Sequence, residues 1–375
     1  MIDYCHNMKE IVFCVLRDDN GGNGGPSGVV GLLKDFVKIG SNSYSFRFWF
    51  NPIKRNFRYK HSLNCIIFFF KMLFKPRAFF IAHDIESAYI LSLLKRNYSL
   101  VYHNQGPIIQ EQINFGNHLS QKNLKYWKKI ERAAFTKAKT LHFPSMGALN
   151  LYFENSYATC KKNECRLGSI LYNTIRNHPF YFSSQFKTDS NTITFFSCGA
   201  LTKAKGQDRV IDFLEVLAKS TQKNICYILV GKGPLRDMIL SKLTRLSNVY
   251  KNFNFIYHAE LDHKEIMATH QFADIYIMFH RISIFDFSTL EAMQSKTALF
   301  LSPIGGNIEF NKESNVVFID SDYEKAAENF HMLNISLLKQ QNYQVFNKYF
   351  SIQEFVKNYI FMIELNLKGL PHEHT

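Results

Sequence analysis

Four loops in the second half of the sequence combine glycines with residues that bind anions and hydroxyl groups. They lie at residues 199–206, 231–235, 280–293 and 305–309. Each follows an apolar run of strand length, and Gly199, Gly231 and Gly233 would let the backbone approach a ligand closely. Lys205 lies just before a helical pattern, a position that suits a phosphate group. The loops therefore predict a site for a phosphate-bearing ligand.

The third loop, HRISIFDFSTLEAM, ends a strand and opens a helix that contains Glu291. The first N–H groups of a helix have no acceptor within it, so they can hold an anion. Taken singly, each loop is a weak signal, because a Gly-x-Gly can be a bare turn and a helical glutamate is often only solvated. Their order and spacing together are much more specific.

Strands that alternate with helices must position these loops. The second half has apolar runs of strand length at residues 193–198, 225–230, 254–258, 275–278 and 298–301. The first half has similar runs at residues 10–15, 78–82, 100–103 and 140–143. Helical patterns separate the strands in both halves, as at residues 28–39, 86–96, 123–136, 207–220, 234–246 and 288–295. This alternation predicts parallel sheets, whose ligands bind at the carboxyl ends of the strands.

A polar stretch at residues 182–191 is typical of a linker and separates the two series. We therefore predict an α/β fold with two Rossmann-like, doubly wound domains that face each other across a cleft. The N-terminal domain is expected to span residues 1–184, and the C-terminal domain residues 185–350. The remaining residues, 351–375, contain a helix that we expect to cross back to the N-terminal domain.

The net charge of +14 lies wholly in the first half of the chain. Residues 1–190 contain 26 Lys and Arg against 12 Asp and Glu, whereas residues 191–375 contain 19 of each. Nucleic acid, anionic lipid or a phosphorylated acceptor would fit a basic domain. Nucleic acid is disfavoured, because no helix-turn-helix, zinc-finger or RNP-type pattern accompanies the charge.

The stretch FRYKHSLNCIIFFFKMLFKPRAFFIA at residues 57–82 favours a membrane surface. Lys71, Lys75 and Arg77 interrupt its apolar runs, so it lacks the uncharged span of about 20 residues that crosses a bilayer. A basic, Phe-rich helix lying in the interface fits the pattern. The alternative is a buried helix followed by a strand, with solvated lysines.

The first residues do not form a basic segment ahead of an apolar run, so we expect no secretory signal. Seven irregularly spaced cysteines do not indicate a disulfide framework. We expect a cytoplasmic protein that lies peripherally on the inner face of the cytoplasmic membrane. Cys160 and Cys165 have no second pair of zinc ligands and are interpreted as ordinary thiols.

The loops of the second half resemble those of retaining GT-B glycosyltransferases of family 4. That family shows Gly-(Arg)-Leu-x-x-x-Lys-Gly, Val-Gly-x-Gly-Pro, Ala-Asp-Ile, Phe-Gly-x-x-x-x-Glu-Ala-Met and Gly-Gly-x-x-Glu. The matching residues here are 199–206, 230–234, 273–275, 285–293 and 305–309. The resemblance is strong over residues 191–310. In the first half, the Gly24-Gly25-Pro26-Ser27-Gly28 loop and the strand-end His103 fit the same family.

The resemblance implies that the N-terminal domain, residues 1–184, binds the acceptor and that the C-terminal domain, residues 185–350, binds the nucleotide sugar. It also implies roles for individual residues. Lys205 would hold the diphosphate of a nucleotide sugar, backbone N–H groups at Phe287, Ser288 and Thr289 would meet its β-phosphate, and Glu291 would bind the ribose. The remaining contacts implied for the donor are Gly25 and Gly199 near the phosphates, Gly231 and Gly233 in the second loop, His258 near the base, and Asn307 and Glu309 near the sugar. His103 would contact the sugar or the reacting centre.

Two departures from the family pattern stand out. Ala200 replaces the usual arginine, and Ser283 stands where the family has a sugar-contacting glutamate eight residues before Glu291. Arg281, Lys203 or Lys232 could supply the missing positive charge. Asp286 replaces a glycine, and a carboxylate beside a phosphate is unfavourable unless it points away or binds a sugar hydroxyl.

The resemblance implies a metal-independent transferase that needs no cofactor and no protein nucleophile. It would move a sugar from a UDP- or GDP-sugar to a lipid-linked or polysaccharide acceptor, in the synthesis of bacterial O-antigen, capsule or lipopolysaccharide. A degenerate GT-B partner that binds nucleotide sugar or glycan without turnover is the alternative.

Other enzyme classes fit the sequence less well. The Asp320-Ser321-Asp322 pattern of a metal-dependent transferase is interpreted as a surface turn, and Gly231-x-Gly233 lacks the third glycine of a nicotinamide site.

Overall fold

The computed structural model describes residues 9–19, 25–40, 43–54, 59–114, 119–181 and 191–368. The chain forms two compact units, which we call unit 1 (Met1–Thr174 with Ile352–Thr375) and unit 2 (Ile175–Ser351). The boundaries predicted from sequence lay at 184/185 and 350/351. Most of the predicted linker, residues 182–190, lies outside the described residues.

Unit 1 contains a five-stranded parallel sheet in the order β2-β1-β3-β4-β5. Its strands are β1 (Lys9–Cys14), β2 (Tyr44–Trp49), β3 (Phe79–Ala82), β4 (Tyr98–Val101) and β5 (Leu141–His142). Its first six helices are α1 (Gly25–Gly40), α2 (Lys60–Leu73), α3 (Ile85–Leu93), α4 (Ile108–Asn114), α5 (Gln121–Thr136) and α6 (Met146–Phe153). Every residue of β3 and β4 is buried, so these strands form near-continuous apolar runs.

Local sequence signals explain where several helices of unit 1 begin. Asp84, Ser120 and Ser145 each accept a hydrogen bond from the backbone N–H three residues further on, and so begin α3, α5 and α6. Strand β2 was not predicted. It pairs with β1 at the edge of the sheet and stays partly exposed, so its sequence YSFRFW is not a continuous apolar run.

Unit 2 contains a six-stranded parallel sheet in the order β11-β10-β9-β6-β7-β8. Its strands are β6 (Thr192–Cys198), β7 (Asn224–Val230), β8 (Phe253–His258), β9 (Ile275–Met278), β10 (Ala298–Leu301) and β11 (Val316–Phe318). Its helices are α7 (Gln207–Ser220), α8 (Arg236–Val249), α9 (His263–Phe272), α10 (Phe287–Gln294), α11 (Tyr323–Asn329) and α12 (Ile335–Val345). The two parallel-sheet, Rossmann-like units confirm the predicted α/β fold class.

The C-terminal helix α13 (Ile352–Lys368) packs on unit 1, where it contacts α1. The ring of Tyr359 is buried and stacks on His83 with centroids 5.9 Å apart. Near the end of the helix, the side-chain amide of Asn366 donates a hydrogen bond to the Thr140 hydroxyl at 3.1 Å. Among the helices in the described ranges, none has the length and apolar character needed to cross a membrane.

Candidate functional site

The four loops predicted from sequence follow β6, β7, β9 and β10, and they lie along the carboxyl edge of the parallel sheet in unit 2. Strands β6 and β9 are neighbours in the sheet, although two strands separate them in the sequence. The strand order reverses between them, and such a switch point opens a crevice where doubly wound sheets bind ligands. The loop after β6 carries Lys205, and the loop after β9 leads into α10.

The glycines of the first two loops let the loops contact one another. A Cβ atom on Gly231 would lie 2.0 Å from the Gly199 carbonyl oxygen, and one on Gly233 would lie 2.3 Å from that of Leu201. Gly206 has a φ of +75° and lies against the Phe279 carbonyl, where a Cβ would come within 1.9 Å. The backbone of a neighbouring loop therefore occupies the space beside Gly206, Gly231 and Gly233, whereas the atoms nearest to a Cβ on Gly199 would be those of the Lys205 side chain, at 3.7 Å or more. The contact of these glycines with a ligand stays a prediction.

Lys205 is the charged centre of this edge. Its Nζ lies 2.5 Å from Oδ1 of Asp286 and 3.5 Å from Nε2 of His280. The lysine comes from the loop after β6 and both partners come from the loop after β9, so the switch point brings them together. The lysine side chain remains 25% exposed. The sequence predicted this lysine but not its carboxylate partner.

Asp286 occupies the N-cap position of α10, yet its carboxylate makes no hydrogen bond to the helix backbone. Instead, its Oδ2 accepts hydrogen bonds from the Tyr276 hydroxyl at 3.3 Å and the Thr289 hydroxyl at 3.5 Å. Burial alone would raise the pKa of this carboxyl, but the Lys205 charge and a hydrogen bond with His280 hold that pKa well below its usual range. The first N–H groups of α10, from Phe287 onward, are therefore left without a side-chain cap.

Glu291 lies one turn into α10 and faces two histidines of α9. Its Oε1 is 2.8 Å from Nε2 of His263, and its Oε2 is 3.8 Å from Nε2 of His270. The hydrogen bond to Glu291 raises the pKa of His263, whereas burial lowers the pKa of His270 to about 3. The carboxylate predicted to bind ribose is therefore paired with a partly exposed imidazole.

Two predicted residues near Lys205 keep buried polar atoms. The side-chain amide of Asn307 donates to the Ser302 carbonyl at 3.1 Å, while its Oδ1 has no partner among the described residues. Within the same described part of the chain, the buried Oγ of Ser283 also lacks a partner. Gly305 and Gly306 pack against the backbone carbonyls of Ser283 and the residue after it. The unpaired Oδ1 of Asn307 and the unpaired Oγ of Ser283 are both buried.

The candidates for the missing positive charge have different surroundings. Arg281 donates to both carboxylate oxygens of Asp208, at 2.8 and 2.7 Å, which fixes it at the start of α7. Lys232 pairs with Glu260 at the surface, and Lys203 is exposed. His258 ends β8, and its carbonyl accepts the Gly231 N–H at 3.0 Å.

In unit 1, His103 lies just beyond β4 and contacts a histidine that sequence reasoning missed. Its Nε2 is 3.0 Å from Nδ1 of His83, and the two rings stack with centroids 5.3 Å apart. Burial lowers the pKa of His103 to about 4 and that of His83 well below its usual value. His83 directly follows β3, so the strand-end rule that selected His103 could have found it. Gly25 begins α1 with a φ of +64°, and the preceding Gly24 lies outside the described residues.

The Asp320-Ser321-Asp322 pattern and the Cys160/Cys165 pair were the two sequence patterns considered for metal binding. Asp322 begins α11 by accepting the Lys325 N–H at 3.0 Å. The sulfur atoms of Cys160 and Cys165 lie 3.2 Å apart. Across the described ranges, no group of three or more His, Cys, Asp or Glu side chains is arranged to hold a metal ion.

Solved structures with two parallel-sheet, Rossmann-like units match this chain along most of its length. Sucrose-phosphate synthase from Thermosynechococcus elongatus has a TM-score of 0.66 at 13% identity, covering 96% of this chain and 100% of that one. HepE from Anabaena, solved with UDP and glucose, has a TM-score of 0.61 at 14% identity, covering 96% and 100%. The pneumococcal O-GlcNAc transferase, solved with UDP and GlcNAc, has a TM-score of 0.56 at 12% identity, covering 80% and 60%. The fold is the GT-B glycosyltransferase fold.

A segment of the chain, residues 182–345, matches the family described as Glycosyl transferases group 1. It contains all four loops at the carboxyl edge of unit 2. No curated protein sequence matches the chain.

Proposed function

We propose that this protein is a retaining, family-4-like glycosyltransferase. It moves a sugar from a UDP- or GDP-sugar to a lipid-linked or polysaccharide acceptor in the synthesis of bacterial O-antigen, capsule or lipopolysaccharide. The observation that carries the proposal is the convergence of Lys205 and the start of α10 at the switch point of a group 1 glycosyl transferase domain. HepE and the pneumococcal transferase were both solved with UDP and a sugar, which supports a nucleotide-sugar donor.

In the proposed mechanism, the site stabilises the negative charge that develops when the sugar–diphosphate bond breaks. The Lys205 ammonium and the uncapped N–H groups at residues 287–289 bind the diphosphate. Glu291 exchanges its bond with His263 for bonds to the ribose hydroxyls, and the base lies against the end of β8 near His258.

The acceptor hydroxyl attacks the sugar without a protein nucleophile or a metal ion. The departing phosphate accepts the hydroxyl proton, so the new bond forms on the face that the diphosphate leaves, with retention. Asn307 is proposed to contact the transferred sugar through its unpaired Oδ1, and Ser283 through its unpaired hydroxyl. His103 is buried with a lowered pKa, and as a neutral imidazole it can exchange a hydrogen bond with a sugar hydroxyl.

The experiment that tests this function is a transfer and hydrolysis assay with a panel of UDP- and GDP-sugars. It is run with undecaprenyl-diphosphate-linked glycans and with free polysaccharide as acceptors, with and without a chelator. We expect transfer from one donor class, an unchanged anomeric configuration in the product, and no loss of activity on chelation. An inverted product or activity abolished by chelation would contradict the mechanism.

The alternative, a partner protein that binds nucleotide sugar or glycan without turnover, is favoured by three features. Ser283 lacks a carboxylate, Ala200 lacks a charge, and the charge of Lys205 is matched by Asp286. Binding of UDP or GDP with complete inertness across the panel would support this second candidate.

We also propose that unit 1 binds an anionic membrane surface that presents the acceptor. The support is a stripe of six exposed apolar side chains at helical spacing along α2 and its two flanking residues, which we call the α2 stripe. It consists of Tyr59, Leu63, Ile66, Phe70, Leu73 and Phe74. Phe74 is 80% exposed. Such a stripe can be buried in the headgroup region of a bilayer.

Unpaired lysines lie near the α2 stripe. Helix α5 exposes Lys122, Lys125, Lys128 and Lys129, and none of them forms an ion pair with a described carboxylate. Helix α3 contacts both α2 and α5, so the exposed lysines and the α2 stripe lie on two helices that pack against the same third helix. Each lysine near an anionic bilayer contributes about 1 kcal/mol to binding. An apolar stripe beside unpaired cations fits the inner face of a bacterial membrane.

Sedimentation with lipid vesicles tests the membrane proposal. Vesicles that contain phosphatidylglycerol should bind the protein at low salt, and vesicles of pure phosphatidylcholine should bind much less. If the anionic vesicles fail to bind the protein at low salt, the membrane proposal is wrong, while the transfer reaction would be unaffected by that result.

A further inference from the structure

The Lys205–Asp286 pair lies within the group of atoms that we assign to the donor diphosphate. Asp286 directly precedes the first N–H groups of α10, and its Oδ1 is 2.5 Å from the Lys205 ammonium. The carboxylate is 11% exposed. An anion that uses the ammonium and the helix terminus together must therefore share the lysine with this carboxylate.

The surrounding side chains hold Asp286 in this position. One oxygen faces Lys205, and the other accepts the hydroxyls of Tyr276 and Thr289. Tyr276 is fully buried in β9, and Thr289 is buried in α10. The carboxylate therefore has few free lone pairs for a sugar hydroxyl, and its chief charged partner is the lysine.

The charges around Lys205 cancel. His280 lies beside both groups, with Nε2 3.5 Å from the Lys205 ammonium and 3.8 Å from Asp286 Oδ1, and burial lowers the pKa of its imidazole. A neutral imidazole, an ammonium and a carboxylate have a net charge of zero. A diphosphate that approaches Lys205 is thus attracted by the ammonium and repelled by the Asp286 carboxylate that is hydrogen-bonded to it.

We propose that Asp286 is an internal counter-anion that competes with the donor diphosphate for Lys205 and so sets donor affinity. The inference rests on the proposed function, because it concerns the same donor site. When the nucleotide leaves, Asp286 again pairs with the ammonium, so the largely buried charge is never left without a partner. The same exchange favours release of the nucleoside diphosphate after transfer.

Binding measurements on Asp286→Asn test the inference, because this substitution removes the charge and keeps the shape. Isothermal titration calorimetry at fixed ionic strength would give the Kd of UDP, GDP and inorganic pyrophosphate. We expect the best-bound nucleotide and pyrophosphate to bind on the order of tenfold more tightly to the variant than to the wild type. In a Lys205→Ala background, competition for the lysine is absent and only the direct repulsion between carboxylate and phosphate remains, so the same substitution should give a smaller gain.

A merely structural role for Asp286 predicts the opposite sign, because a disordered site binds ligands more weakly. Weaker or unchanged binding by Asp286→Asn would overturn the inference. Asp286→Gly provides a second variant if the asparagine protein does not fold, since glycine is tolerated at an N-cap. A gain of the same size or larger in the Lys205→Ala background would also overturn it.

A matched control is available in the same unit. Lys242 and Asp212 form a 2.7 Å ion pair between α8 and α7, outside the strand-end loops. Asp212→Asn removes the same charge from the protein and should leave the nucleotide Kd unchanged. If neither the wild type nor any of the variants binds UDP, GDP or pyrophosphate, the assignment of the donor site itself is wrong. If the wild type binds a nucleotide and Asp286→Asn binds it no better, only the counter-anion role is wrong.

Discussion

The two units place different chemistry at the same position of the same architecture. Each parallel sheet has one switch point, between β1 and β3 in unit 1 and between β6 and β9 in unit 2. In unit 1, His83 follows β3 at this switch point and stacks on His103, which lies just beyond the neighbouring strand β4. In unit 2, the side chains at the switch point are the ion pair of Lys205 and Asp286.

Burial has opposite consequences at the two edges because only one provides an opposite charge. Burial penalises the charged form of any group, so His83 and His103 have lowered pKa values and stay neutral. Asp84 beside them is buried too, and its pKa is raised to about 6. At Asp286 the Lys205 charge outweighs burial and keeps the carboxylate ionised. The edge of unit 2 therefore carries a partly buried ion pair, whereas the histidines at the edge of unit 1 are neutral.

The largest expected effect tests the charged edge of unit 2. Lys205→Ala should lower the rate of sugar transfer by about 10²–10³, because it removes one preorganised charge from the leaving diphosphate. Steady-state kinetics with the active donor measures the change, and Lys242→Ala provides a lysine control remote from the loops. Transfer at the wild-type rate would show that Lys205 does not bind the diphosphate.

The next effect concerns the exposed surface of unit 1. Phe70→Ser and Phe74→Ser should each weaken binding to anionic vesicles by about tenfold or more, because each removes a phenyl group worth about 1.5–3 kcal/mol on burial. Vesicle sedimentation measures the partition coefficient. Serine at Phe361, an exposed residue of α13 outside the α2 stripe, should have no effect. If all three variants lose vesicle binding equally, the α2 stripe is not the surface that contacts the membrane.

The neutral edge of unit 1 predicts a dependence of stability on pH. His103 has a folded pKa of about 4, below its unfolded value, so the unfolded chain binds more protons between these values. Its contribution is present above about pH 6.5 and is lost as the pH falls toward 4, by up to about 1.4 kcal/mol per pH unit. Asp84, with a raised pKa, works in the opposite sense below about pH 6.

The variant His103→Gln isolates the contribution of His103 to the dependence of stability on pH. Thermal unfolding of wild type and variant between pH 7.5 and 5 should show a smaller loss of stability in the variant as the pH falls. Parallel curves would mean that His103 is not held neutral by burial.

The smallest effect compares an unpaired lysine of unit 1 with a paired one of unit 2. Lys125→Ala should weaken binding to anionic vesicles by about 1 kcal/mol, or roughly fivefold. Lys232→Ala, which removes an exposed lysine already paired with Glu260, should change vesicle binding little. The same vesicle assay ranks the two variants, and similar losses would show that the surface charge of unit 1 has no special role.

Much of the fold followed from local patterns in the sequence. The runs at residues 193–198, 225–230 and 275–278 coincide with or lie within one residue of strands β6, β7 and β9, because a strand buried on both faces is a continuous apolar run. The edge strand β2 was missed because it needs no such run. The strand-end loops were found for the same reason, since a loop begins where an apolar run stops.

The sequence by itself determined which residues end strands and which open helices, and so identified Lys205 and Glu291 as candidates. Only the tertiary structure decided their partners. Lys205 meets Asp286, 81 residues away, because β6 lies beside β9, and no local periodicity encodes which strands are neighbours. Local periodicity likewise does not show that Gly206, Gly231 and Gly233 pack against neighbouring loops, or that the α2 stripe stays exposed. Periodicity reports burial along one element, whereas contacts between elements depend on the order in which the strands assemble.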